Sequence, residues 1–106
     1  MIQKELGKTG ERLPVIGLGT WQLGEGSGEE ALVAGAETGA KFIDTAEIYH
    51  TEPLVGRALS RIRAKGIGVF VATKVWPTHF HHDDVIKSCE GSLKRLGLST
   101  IDLYQL

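Results

Sequence analysis

The sequence predicts an α/β fold: the N-terminal half of a TIM-type (β/α)8 barrel, a β-hairpin followed by about four parallel strands and three helices. Three observations lead there. Short apolar strand patterns alternate with amphipathic helical patterns, the order that produces a parallel sheet with crossover helices. The strand ends recur at a steady interval, with 25, 30 and 30 residues separating Gly19, Asp44, Lys74 and Tyr104 in turn. The 106-residue chain forms one compact unit, too short for the ~250 residues of an eight-unit barrel, so it holds roughly half of one.

The elements follow in order. GKTG, Gly7 to Gly10, supplies turn material between two semi-apolar runs, which predicts a hairpin over about residues 1–15. This GKT is no phosphate loop, because Ile2 stands where that motif requires a glycine. The β/α units occupy about residues 15–106, beginning with VIGLGTW, a strand ending near Gly19. Ser27 and Glu30 have capping-box spacing, and Leu32 and Ala36 give the first helix an apolar face that stops at Gly39. KFID is the next strand. Thr51 is positioned to cap a helix bearing Leu54, Val55, Ala58, Leu59 and Ile62 on one face. VFVATKVW is rich in β-branched residues, as a strand covered on both faces should be. Asp83 can cap a third helix turning Val85, Ile86, Cys89, Leu93 and Leu96 inward, with Gly97 as its stop. IDLYQL begins the fourth strand.

Composition narrows the function. Twelve basic residues against thirteen acidic ones leave a formal charge of −1, so no overall field favours nucleic acid or an anionic membrane. The Arg57, Arg61, Arg63, Lys65 cluster reads as a solvated helix face. The N-terminus has no apolar signal core and no stretch reaches the ~20 apolar residues of a membrane span. The single Cys89 cannot form an internal disulfide and reads as core packing, which points to a reducing cytoplasm.

In parallel α/β folds the carboxyl ends of strands carry the site, and Gly19, Asp44 and Lys74 all fall there. Asp44 and Lys74, on neighbouring strands, can pair. Tyr49 lies five residues beyond Asp44. An unperturbed phenol has a pKa of ~10, and an adjacent ammonium lowers it toward useful acid–base chemistry. Spacing alone leaves two readings open: a proton-transfer site, and a structural ion pair beside a packed loop tyrosine.

GLGTW, GAKFIDTAEIYHTEPLVG and ATKVW resemble the aldo-keto reductases along the whole chain. The specific stretch is Asp44, four residues, Tyr49, then Glu52, Leu54 and Gly56. The resemblance implies reduction of a small aldehyde or ketone, with hydride from a nicotinamide, NADPH before NADH, and a proton from Tyr49. It implies Asp44 and Lys74 as the tyrosine's tuning pair, with Gly19, Thr20 and Asp44 beside the cofactor and Asp44 facing its ribose. Trp21, Tyr49 and Trp76 would line the substrate pocket. His50 departs from the glycine, small or amide residue that many members have after the tyrosine. The family's histidine, which follows the fourth strand, is expected just beyond Leu106, and the adenine and phosphate sites come from later strands. The alternative is a catalytically incompetent half-barrel fragment or a non-catalytic relative that self-associates or binds a partner; taken alone, the chain is expected to self-associate through its open edge and apolar interior and to have little reductase activity.

Two rival readings are weaker. A Rossmann fingerprint starting at Gly17 meets Gln22 where its third glycine belongs. THFHHDD, residues 78–84, gathers His79, His81, His82 and Asp83, but near-consecutive loop residues diverge, so no metal is expected.

Overall fold

The computed structural model describes residues 1–106. Strands β1 (Gln3–Glu5) and β2 (Arg12–Pro14) pair antiparallel, with Gln3 opposite Pro14. Their turn uses Gly7 and Gly10 at φ 57° and 82°, values that suit residues without a Cβ. Thr9 Oγ1 closes it by donating to the Leu6 carbonyl at 2.7 Å.

The parallel sheet contains β3 (Leu18–Gly19), β4 (Phe42–Asp44), β5 (Phe70–Lys74) and β6 (Leu103–Gln105), side by side in sequence order. Helices α1 (Gly28–Glu37), α2 (Glu52–Ala64) and α3 (His82–Leu96) make the crossovers. Consecutive order is that of a singly wound sheet. A Rossmann sheet reverses direction at a switch point, so that alternative fails on topology.

Strand alternation then sorts the side chains. Ile43 and Val71 are paired in register and join Leu32, Val33 and Ala36 of α1 and Leu54, Val55, Ala58, Leu59 and Ile62 of α2 in one core, each below 5% exposed. Phe42 and Phe70 also pair in register, on the opposite face, with edge-to-face rings 5.7 Å apart. Asp44 lies two residues beyond Phe42, so the face that excludes the helices is the one that presents it at the strand end.

Two of the glycines mark close approaches between elements, Gly35 against a side-chain tip and Gly56 against backbone. A Cβ on Gly35 would lie 2.7 Å from Leu18, and one on Gly56 would lie 2.4 Å from the Arg95 carbonyl oxygen. The first lets α1 settle on β3, and the second lets α2 settle on the end of α3. Outside, Arg61 donates to Glu29 and Glu30 while Lys65 pairs with Glu37, bridging α1 and α2. The Arg61 guanidinium holds the Glu30 carboxyl below the usual carboxylate range. Exposed pairs of this kind are screened by solvent and contribute little to stability.

Four expectations about the helices are corrected. Ser27 precedes α1 without a side-chain cap, its backbone being helical (φ −112°, ψ −4°) where a capping residue is extended, and Glu30, its expected capping-box partner, is bound bidentately by Arg61. Thr51 precedes α2 but also makes no cap bond, since its hydroxyl is engaged in the core. Asp83 lies within the first turn of α3, and the residue before the helix is His81. The buried stripe of α3 is Ser88, Ser92 and Leu96. Ile86 is exposed, and Val85, Cys89 and Leu93 are half-buried.

Replacing Gly56 by Ala must push backbone against backbone. The expected net loss is roughly 1–3 kcal/mol, despite the ~1 kcal/mol that alanine contributes through helix propensity. A thermal melt with an unchanged midpoint would show that the two helices have slack.

Candidate functional site

The site begins with a charge that needs acceptors. Lys74, the last residue of β5, reaches across to β4, where its ammonium donates to Asp44 Oδ1 at 2.8 Å, Asp44 Oδ2 at 3.0 Å and the Thr45 carbonyl at 2.9 Å. The two side chains are 29% and 40% exposed, so the pair sits at a rim. Tyr49 ends a single 3₁₀ turn, Glu47–Tyr49. Its ring lies beneath the same ammonium, 5.1 Å from nitrogen to centroid, within cation–π range. Asp44, Tyr49 and Lys74 therefore converge.

The loop that carries Tyr49 is shaped at both ends. Ala46 is extended, the Tyr49 and His50 N–H groups donate to the Ala46 and Glu47 carbonyls, and His50 ends the turn at φ 57°. That left-handed conformation favours glycine and tolerates amide residues. His50 thus fills the loop shape that the family's small or amide residue suits, and its ring leans on Trp76 at 5.6 Å.

Thr20 is placed differently from expectation. Its side chain is fully buried, and its hydroxyl bonds Thr45 at 2.8 Å and Thr51 at 3.0 Å. Its N–H donates to the Asp44 carbonyl and its own carbonyl accepts from Leu23. Each polar group already has a partner, so Thr20 is a brace between strand ends and offers no free side chain to a cofactor. Gly19 differs: a Cβ there would meet nothing within 4 Å. Trp21 is 70% exposed at the adjoining rim.

Trp76 is held by Glu47, whose Oε2 accepts its backbone N–H at 2.9 Å. Glu47, His50, Glu52, Pro53, Trp76 and Arg95 line a cleft of about 230 Å³. Beneath it Glu52, 1% exposed, accepts from Thr73 Oγ1 at 2.7 Å and Arg95 Nε at 2.9 Å, satisfying a buried carboxylate that would otherwise be costly. Sequence reasoning passed over Glu47, Thr45, Thr73 and Arg95. The one available signal was a threonine beside each strand-end residue, in GT, DT and TK.

The histidine segment scatters. His79 faces Ser88 at 3.2 Å, His82 faces Asp83 at 3.1 Å, and no three potential metal ligands gather. No helix is long and apolar enough to cross a membrane.

Known proteins resemble the chain in sequence and in fold. The model of the aldo/keto reductase family matches residues 15–106. Glycerol 2-dehydrogenase (NADP(+)) of Saccharomyces cerevisiae is 43% identical over 91% of this chain, which spans 30% of that protein. Methylglyoxal reductase YeaE of Escherichia coli is 41% identical over 100% of the chain and 39% of its own length. The crystal structure of a thermostable aldo-keto reductase with the inhibitor epalrestat superposes with a TM-score of 0.88 at 41% identity, covering 98% of this chain and 42% of that one. The chain thus spans well under half of the proteins it matches.

One phenol away from the rim is marked by its surroundings. The Tyr104 hydroxyl is buried without a hydrogen-bond partner, and burial, followed by the negative groups Cys89, Glu47 and Glu52, pushes it from 10.0 up to about 12. A raised acid favours its neutral form in the fold, so its contribution to stability is intact below pH 10 and lost as pH rises through about 12. Ultraviolet titration should show a late phenolate step that Tyr104→Phe removes. A late step that survives the substitution would contradict the assignment.

Proposed function

This chain belongs to the aldo/keto reductase family, and from that premise we propose that it furnishes the proton-transfer half of an NAD(P)H-dependent carbonyl reductase. The observation that carries the proposal is the Lys74 ammonium, tied to Asp44 and lying over the Tyr49 ring.

The residues present fit the nicotinamide end of such a cofactor. Gly19 leaves open space at the rim, and the Asp44 carboxylate remains 40% exposed, with lone pairs beyond those Lys74 uses for a ribose hydroxyl. When bound, the cofactor supplies hydride to the carbonyl carbon. Tyr49 then gives its hydroxyl proton to the carbonyl oxygen, converting aldehyde or ketone to alcohol, and regains a proton from solvent. Lys74 stabilises the negative charge left on the phenol oxygen, while Asp44 and the Thr45 carbonyl fix the lysine so that no reorganisation is needed when that charge appears. Trp76, held by Glu47 and His50, and the exposed Trp21 supply apolar walls for the substrate. NADPH is the cofactor we favour, with NADH as the alternative, and the cytoplasm is the compartment that fits the lone, half-buried Cys89.

A full-length enzyme carrying this segment provides the test. Tyr49→Phe should lower kcat by about 10²-fold or more, the scale of general-acid catalysis, with cofactor affinity nearly unchanged. Retained turnover would remove Tyr49 from the role.

For the 106-residue chain taken by itself, a second property is favoured by its surface. Ile2, Ile16 and Trp21 are 74%, 59% and 70% exposed, and β3 and β6 each have a neighbour on one side only. We expect self-association and little turnover. A monodisperse monomer in light scattering, or clear NADPH oxidation with an aldehyde, would defeat this expectation.

A further inference from the structure

We propose that Thr20, Thr45 and Thr51 form a hydroxyl clamp that sets the position of Tyr49. The inference rests on the reading of Tyr49 as the proton donor. The three hydroxyls lie 2.8, 3.0 and 3.1 Å apart in a closed triangle, with side chains 0%, 0% and 6% exposed. A hydroxyl has one donor and can accept, so a cyclic arrangement with Thr20 donating to Thr45, Thr45 to Thr51 and Thr51 to Thr20 satisfies all three. No donor is left over.

The triangle has a particular relation to the loop. Thr45 immediately precedes residues 46–50, and Thr51 immediately follows them. Five residues can span ~17 Å when extended, yet the hydroxyls at the two feet are 3.1 Å apart. The loop is therefore a staple closed at its base, with Tyr49 two residues before its second foot. Thr20 fastens both feet to β3, and the Thr45 carbonyl accepts from Lys74. One cluster thus fixes the base of the loop and one acceptor of the ammonium over the ring. Apolar packing at the same place would fill the volume without fixing a direction, whereas hydrogen bonds impose both distance and angle.

These are positioning residues, so the test must read position as well as rate. In the chain as it stands, Thr51→Val should speed amide hydrogen exchange at Tyr49 and His50 at least tenfold, while exchange in β5 and mid-α2 stays within about twofold. Thr51→Ser should restore protection. Unchanged exchange, acceleration spread evenly over the sheet, or failure of serine to restore would each overturn the clamp. Thr20→Val, outside the loop, serves where Thr51→Val does not fold, with the same local acceleration expected. Loss of folding in both variants also overturns the proposal, because the cluster would then be a requirement of the whole fold. In a full-length enzyme Thr51→Val should lower kcat more than it raises KM. An inactive parent whose exchange pattern matches expectation would count against the reductase reading and leave the clamp standing.

Discussion

A lysine ammonium at the rim of a sheet cannot be left without acceptors, and most of the site follows from how this chain supplies them. Asp44 provides two oxygens and Thr45 a third. Because Asp44 ends β4 and Lys74 ends β5, the pair also latches neighbouring strands at the edge where the ladder of backbone bonds stops. The Tyr49 ring then rests against a cation whose place is already determined. A paired charge at a half-exposed rim costs less desolvation than one in the interior, so the sheet can hold an ammonium in a fixed place without burying it.

Behind the sheet a second polar layer does for the helices what this pair does for the strands. Thr73 and Arg95 converge on the buried Glu52, joining β5, α2 and α3 through one carboxylate. Glu47 reaches the backbone of Trp76. The rim and the helix-packed face therefore share residues from the same short segment, Thr45 to Glu52.

The architecture was legible because it depends on period and alternation, which a chain states openly. Asp44 and Lys74 could be paired from spacing because each ends a strand of a parallel ladder. The caps were not legible. Ser27, Thr51 and Asp83 all have capping chemistry, but local rules weigh only near neighbours, and Glu30 and Thr51 found stronger partners across the fold. The same limit hid Ser88 and Ser92 in the buried stripe of α3, since a rule that ranks hydrophobicity overlooks a buried serine. The bonding of the Thr20 hydroxyl was equally out of reach, because its partners are threonines 25 and 31 residues away.

The consecutive order of the four strands has a consequence for how the molecule comes into being. Each strand of the parallel sheet lies beside the one made just before it, and ten of the eleven core residues fall between Leu32 and Val71, with Leu96 alone arriving later. A nascent chain leaving the ribosome can therefore bury its apolar surface progressively, without waiting for a distant partner to be translated. The strand most recently synthesised stays open as the template on which the following one pairs, so growth of the sheet keeps pace with growth of the polypeptide.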